Sequence, residues 1–584
     1  MLSSLRFLLF GMPTAHLLVA ILCCVVAGLL IIHWMDRRRC HQKIESARVQ
    51  REHAVQLMEK AVLQYLEQVR YESGFGFTML FNILNFPAGV LPVTTVSAED
   101  EEELRHYKGY YNDLWDKEFI QCCWRSCVVT GGAVLLVLNA IHPQALEVHN
   151  DVNCLTVFMS DCETQLKKLQ ERGDRGPLYG VPVSIKEQVG YQGQHSTCGL
   201  VQYLDVLEEE DSVIVKVLKK QGAIVFAETN VPQTLICMES SNPIYGGTLN
   251  PHNKAKGCAG STGGEGALIG GGGSILGIGT DIGGSIRLPS SFCGIAGFKP
   301  SPKRLSIRGV RPCVDGMTMV STCIGPMARD VDGVVLAMKA LLCEEMFRLD
   351  PNVPPIPFNE EMFSSKKNLR IGYIEEDGFF KPNPSMSRVV LETKNLLEGA
   401  GHELIPFRPP RVDHVFDLFI KAVLGDGGRT LGDKLFCALL LLVVSCDGFL
   451  LVFLQEYQAE FIGEWRKLDL DLLICPMLGP AFNVGYAGKL LACASFTALY
   501  NMLQFPAGVL PVGSVTTEDE EALKHYKGYE NDHWDKLFRK AVSDGVGLPL
   551  SVQCVALPYQ DELCLRLMME VQTLHREKTI RGPV

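Results

Sequence analysis

The stretch "GSTGGEGALIGGGGSILGIGTDIGGSIRLPSS", Gly260–Ser291, decides how this chain is read. Between Gly260 and Gly284, 12 of 25 residues are glycine, a density that suggests a phosphate cradle, a linker or an active-site backbone. The phosphate loop GxxxxGK[ST] is excluded, because no Gly-Lys pair occurs in the stretch. The dinucleotide fingerprint GxGxxG also fails: Gly277 and Gly279 have the first spacing, but Ile282 stands where the third glycine belongs. A nucleophile elbow, GxSxG, fits neither Ser261 in "AGSTG" nor Ser285 in "GGSIR". A plain linker fits poorly, since Ala267, Leu268, Ile269, Ile275, Leu276 and Ile278 give the segment a buried character.

Backbone chemistry is what remains. Glycines let the chain turn tightly and bring several N–H groups to one ligand atom. In "DIGGSIR" the N–H groups of Ile282, Gly283, Gly284 and Ser285 can converge on an oxyanion beside the Ser285 hydroxyl. Each such donor contributes about 3–4 kcal/mol to lowering an acyl-transfer barrier. A serine nucleophile also needs a base, and the stretch holds no histidine, so a Ser-His-Asp system is not supported.

From about Asn150 onward the surrounding pattern is α/β. "GVPVSIKE" and "GAIVFAETN" read as buried strands, with "DSVIVKVLKKQ" between them as a helix capped by Asp211 or Ser212. "LRIGYIEED", "SMSRVVLETKNLLEGAG" and "HELIPF" repeat the order strand, helix, strand, with Gly399 and Gly401 as stop signals. "LDLDLLICPML" is a further buried strand. Such alternation predicts a large sheet covered by helices on both faces.

These motifs carry a resemblance. "GSTGGEGALIG", "GTDIGGSIRLPSSFCG" and "GVPVSIKE" are similar to the serine and lysine motifs of the amidase-signature family of serine hydrolases. "MARDVDGVVLAMKALLCEEMFRLDPNVPPIPF" and "SVQCVALPYQDELCLRL" resemble in particular its membrane-bound members that act on fatty-acid amides. The resemblance implies an amidase-signature fold with a large mixed β-sheet core over residues 140–580, with Ser285 as nucleophile, Ser261 as bridging serine and Lys186 as general base. It implies hydrolysis of N-acylethanolamines and primary fatty-acid amides, substrate contacts at Leu235, Ser261, Ile282, Gly283, Gly284 and Ser285, and a homodimer that meets membrane lipid. No metal and no cofactor are expected. A lysine acts as base only when neutral, and the apolar run "VPVSI" before Lys186 suits the burial this needs. Thr262 stands where the family has a second serine, and Leu235 and Ile236 replace a methionine and a phenylalanine. The region from Asp426 to Trp465 is shorter than in the relatives. An amidase of other small amides or esters, and a catalytically impaired scaffold, remain the alternatives.

The rest of the chain sets the context. A formal charge of −11 argues against a nucleic-acid partner. The 21 cysteines lack regular spacing and read as reduced thiols, and "CCWRSC" at Cys122–Cys127 has no second ligand cluster for zinc. Phe7–Met35 carries no charged residue and is long enough to span a bilayer, so residues 1–36 read as a membrane anchor. Arg37, Arg38 and Arg39 then place the body on the cytosolic side, and the resemblance implies the endoplasmic reticulum or another internal membrane. Residues 37–76 read as a helical stalk. Phe77–Phe119 returns as Phe496–Phe538 without a gap, identical at 30 of 43 positions. One site in a core cannot hold both copies. The first is therefore expected to be peripheral, unless it is a fault of gene assembly. Leu435–Leu454, interrupted by Asp447 and Gly448, reads either as paired core helices or as a membrane-facing hydrophobic patch.

Overall fold

The computed structural model describes residues 141–581, the backbone of 131–140, and residues 41–46 and 49. Within 141–581 the breaks are at 173–174, 313, 315–318, 425, 427–428, 431–433 and 435–449. Two compact units, Met1–Glu52 and His53–Val584, divide the chain. Of the first, residues 41–46 are helical. The expected anchor at Phe7–Met35, the duplicate Phe77–Phe119, "CCWRSC" and most of the stalk lie outside the described residues. Among the described residues no helix is long and apolar enough to cross a membrane.

Among the described residues thirteen strands are formed: β1 Leu155–Phe158, β2 Pro182–Lys186, β3 Ile224–Thr229, β4 Ser241–Asn242, β5 Gly246–Gly247, β6 Leu276–Asp281, β7 Ala296–Lys299, β8 Cys323–Ala328, β9 Arg370–Tyr373, β10 Glu403–Pro406, β11 Leu472–Pro476, β12 Ala507–Ser514 and β13 Pro549–Val555. Eleven make one sheet in the order β1-β3-β2-β6-β8-β7-β12-β13-β11-β9-β10, and β4 pairs with β5 apart from it. The pairs β3–β2, β2–β6, β11–β9 and β9–β10 are parallel and flank an antiparallel middle. Every residue of β2, β3, β6, β8 and β11 is buried, so both faces of the sheet are covered there. The large sheet expected from the alternating pattern is present, and it is mixed, as the resemblance implies.

The helices that position the site are α1 Gly131–Val152, α2 Val213–Lys220, α3 Gly263–Gly270, α4 Arg287–Cys293, α5 Pro384–Gly399, α6 Val412–Val423, α7 Leu450–Lys467, α8 Ser495–Met502 and α9 Asp561–Arg581. α2 links β2 to β3 as a parallel crossover, and α5 does the same for β9 and β10. Ser212 is the N-cap residue of α2, but its hydroxyl makes no cap bond. Asp211 instead accepts from the Gln192 N–H at 3.0 Å and from Lys219 Nζ at 2.7 Å. α5 starts with Pro384 behind the Asn383 cap, which accepts from the Met386 N–H at 3.0 Å. It ends at Gly399, and Gly401 adopts the φ of +98° that favours glycine after a helix.

The C-terminal copy, Phe496–Phe538, supplies most of α8 and all of β12, which pairs with β7 and β13 inside the sheet. Of the apolar patch Leu435–Leu454, residues 450–454 lie on α7, where Leu454 is buried and Val452 and Phe453 are exposed.

Candidate active site

The glycine-rich stretch folds into α3, β6 and α4 joined by tight turns. Ser261 sits just before α3, and the peptide joining it to Gly260 is cis. Ser285 lies in the turn between Asp281, the last residue of β6, and α4. The Thr262 N–H donates to the Ser285 carbonyl at 3.2 Å, which ties the two serine turns together. Lys186 ends β2, the strand beside β6, and is fully buried. Its Nζ lies 2.8 Å from Ser261 Oγ, in hydrogen-bond contact, and donates to Thr280 Oγ1 at 2.7 Å. The structure thus brings Lys186, Ser261 and Ser285 into one buried corner from 100 residues of chain.

Behind the lysine lies a second polar layer. Ser184, two residues before Lys186 and on the same strand face, donates to Glu265 Oε1 on α3. Thr229 donates to Glu265 Oε2 at 2.8 Å, and Ser184 Oγ is 2.8 Å from Ser274 Oγ. Burial pushes the Glu265 carboxyl up to about 8, although the Ser184 and Thr229 hydroxyls partly offset it. A Cβ at Gly277 would sit 1.7 Å from Glu265 Oε1, so this glycine of β6 makes room for the carboxyl.

The turn that carries Ser285 is fixed by Asp281. Its carboxylate accepts from the N–H groups of Gly284 at 2.9 Å and Ile286 at 3.1 Å, and from Arg287 Nε at 3.0 Å and Nη2 at 2.9 Å. Asn501 Nδ2 donates to it at 2.9 Å from α8. Burial opposes charge on Asp281. The Arg287 guanidinium, Lys299 and Asn501 outweigh that opposition and hold the carboxyl well below the usual carboxylate range. Arg287 reaches on to Gln553 Oε1 at 2.7 Å and the Thr497 carbonyl at 3.1 Å. The turn is pinned to two strands, β6 and β13, and to the helix α8.

Two sequence expectations change. The Gly284 N–H is committed to Asp281 Oδ1, so the amides left for an oxyanion are those of Ile282, Gly283 and Ser285. Gly284 serves the turn instead: its φ of +132° is one that side chains rarely adopt, and a Cβ there would meet Thr497 Oγ1 at 2.5 Å. Leu235 is buried among Cys198, Leu200, Val231 and Val314. Its neighbour Ile236 is the partly exposed one, packing both on that cluster and on the one that holds Phe419 and borders Ile282. Phe419 of α6 lies over Gly283, with its Cζ 2.8 Å from where a Cβ would be. Ile236, not Leu235, is therefore the one that packs on the same cluster as Ile282 of the Ser285 turn.

Sequence reasoning missed Asp281, Arg287, Thr280, Gln188, Thr497 and Asn501. A signal for the first two was present. Only Glu265, Asp281 and Arg287 are charged between Gly260 and Ser291, so an acid and a base six residues apart in an apolar stretch point to a buried pair. The last two come from more than 200 residues downstream and had no local signal.

Fold and site together define a class of protein: the chain belongs to the Amidase family, whose profile matches residues 137–442 and 447–565. Particular relatives narrow the comparison. The chain is 41% identical to Fatty-acid amide hydrolase 1 of Sus scrofa, over 95% of its own length and 96% of that protein's. It is 38% identical to Fatty acid amide hydrolase 1 of Caenorhabditis elegans, over 74% of its own length and 84% of the relative's. A solved structure titled Fatty acid amide hydrolase superposes with a TM-score of 0.72 at 24% identity, covering 91% of this chain and 95% of that one, a likeness of fold.

Proposed function

We propose that this chain is an amidohydrolase that cleaves fatty-acid amides, N-acylethanolamines and primary fatty-acid amides among them, to free fatty acid and amine. The observation that carries the reading is the buried Lys186–Ser261 contact of 2.8 Å beside the Ser285 turn. Neutral Lys186 takes the Ser261 proton while Ser261 takes that of Ser285, and Ser285 Oγ bonds to the amide carbon. The resulting oxyanion is met by the amides of the Ile282–Ser285 turn that Asp281 leaves free. The relay runs in reverse to protonate the leaving amine, and water then hydrolyses the acyl-enzyme.

The relatives named above support an amide substrate with a fatty acyl group. So does the wall of Ile236, Ile282, Phe419 and Leu424, which suits an alkyl chain. A single-pass anchor at Phe7–Met35, with Arg37–Arg39 on the cytosolic side, would hold the enzyme where such substrates partition. Exposed Val452 and Phe453 at the start of α7 fit contact with that membrane.

The test is fluorophosphonate labelling of the full chain together with hydrolysis of a panel of long- and short-chain amides. Labelling that is lost in Ser285→Ala, with preference for long acyl chains, is the expected result. Labelling with preference for short amides overturns the lipid assignment, and absence of labelling overturns the enzyme.

A further inference from the structure

We propose that Gln188 and Thr280 form an orienting relay that leaves the lone pair of Lys186 for Ser261. Both are positioning residues, and the proposal rests on the reading of Lys186 as base.

Thr280 Oγ1 lies between two partners. It accepts from Lys186 Nζ at 2.7 Å and donates to Gln188 Oε1 at 2.7 Å. The Gln188 amide is itself set by its other end: Nε2 donates to the Arg311 carbonyl at 2.7 Å, so its oxygen must face Thr280. The backbone repeats this tether, because the Arg311 N–H donates to the Gln188 carbonyl at 3.1 Å. All three side chains, Lys186, Thr280 and Gln188, are buried, so water does not compete for these bonds.

The consequence follows from counting hydrogens. A hydroxyl has one hydrogen, and that of Thr280 is given to Gln188. Thr280 can therefore only accept from the lysine. A neutral amine has one lone pair, and a hydroxyl free to donate would compete with Ser261 for it. With Thr280 held as an acceptor, the lone pair is left for the Ser261 hydroxyl 2.8 Å away. The Ser261 proton passes to Nζ, the Ser285 proton passes to Ser261 Oγ, and the Ser285 Oγ–carbon bond forms as the carbonyl electron pair moves to oxygen. In the resulting ammonium, Thr280 still accepts, and the transferred proton stays on the Ser261 side for its return to the leaving amine.

Gln188→Met keeps the length of the side chain but releases the Thr280 hydrogen. Thr280→Val removes the hydroxyl, and Thr280→Ser retains it. The readouts are the second-order rate of fluorophosphonate labelling at Ser285, and kcat and KM on a long-chain primary amide. Gln188→Met and Thr280→Val are each expected to slow labelling and kcat about tenfold or more with KM within about twofold. Thr280→Ser is expected within about threefold of the parent. The double variant is expected to be no slower than the worse single one, because both changes act through one hydroxyl. Parental labelling by Gln188→Met, or losses that multiply in the double variant, would overturn the proposal. Should Gln188→Met not fold, equal rates for Thr280→Val and Thr280→Ser overturn it instead. Lys186→Ala separates the premise: labelling at the parental rate there refutes the base, whereas a dead Lys186→Ala with a normal Gln188→Met refutes the relay alone.

Discussion

Thr497 Oγ1 donates to the carbonyl of Gly283 at 2.6 Å, across 214 residues of chain. That bond joins α8, in the C-terminal copy of the duplicated segment, to the turn that presents Ser285. It fixes the Gly283–Gly284 peptide unit and, with it, the direction in which the backbone amides of the turn point. Thr497→Val keeps the shape and deletes the donor to the partly buried Gly283 carbonyl, at a cost of about 1 kcal/mol. The expected result is a several-fold fall in kcat at nearly constant KM, with a modest drop in thermal midpoint. An unchanged kcat would show that the turn holds its shape without α8.

The same contact bears on the two copies. Thr497 and Asn501 of the C-terminal copy reach the Ser285 turn, and β12 of that copy lies inside the sheet. Residues Thr78 and Asn82 stand at the matching positions of Phe77–Phe119. Because one core accepts one copy, removal of residues 77–119 is expected to leave fluorophosphonate labelling of Ser285 in place. Removal of 496–538 should abolish soluble, labelled protein. The opposite pattern in a gel-based labelling assay would reverse the assignment.

Much of the architecture is legible in the sequence because period and length signal it. "GVPVSIKE" and "GAIVFAETN" become β2 and β3, and the Ser385–Gly401 run becomes most of α5, since their apolar spacing and end residues are local properties. The Gly260–Ser291 stretch hides its two helices, because glycine at Gly263, Gly264, Gly266 and Gly270 erases the propensity that would announce α3. At the candidate site, Lys186, Ser261 and Ser285 are singled out by motifs. Their supports are not, because Thr280, Gln188, Thr497 and Asn501 act through side-chain hydrogen bonds that only the folded chain assembles. The error at Gly284 has the same origin: a glycine amide looks free in sequence, and Asp281, three residues earlier, claims it.

Asp281 and Arg287 form a fully buried ion pair, 2.9 Å between Oδ1 and Nη2. Removing one partner leaves a charge without compensation, which costs about 3–5 kcal/mol in such settings. Arg287→Met is therefore expected to lose a large part of the fold's stability. Asp281→Asn combined with Arg287→Met should recover part of it, since no lone charge remains. Because the Asp281 carboxyl is held below the usual range, its stabilising effect is present near neutral pH and is lost as pH falls through its folded value. Urea midpoints of the parent, Arg287→Met and the double variant decide the matter. A double variant no more stable than Arg287→Met would mean that hydrogen bonding to Gln553, Thr497 and Asn501, and not the pair's charge balance, holds the turn.

Glu265 makes the opposite pH prediction. Its carboxyl is fully buried and pushed from the usual 4.5 up to about 8, chiefly by burial. At acid pH both folded and unfolded chains hold the proton. Between those two values only the folded chain holds it, so unfolding releases a proton and stability falls as pH rises. The slope from this one group approaches about 1.4 kcal/mol per pH unit across the window and vanishes above it. Glu265→Gln keeps the size and an acceptor for Ser184 or Thr229 but cannot ionise. The parent is expected to lose thermal midpoint between about pH 5 and about pH 8 more steeply than Glu265→Gln, and the difference between the two slopes isolates this carboxyl. Parallel pH profiles would mean that Glu265 is already ionised in the folded chain, with Ser184 and Thr229 carrying a buried carboxylate next to the strand that ends in Lys186.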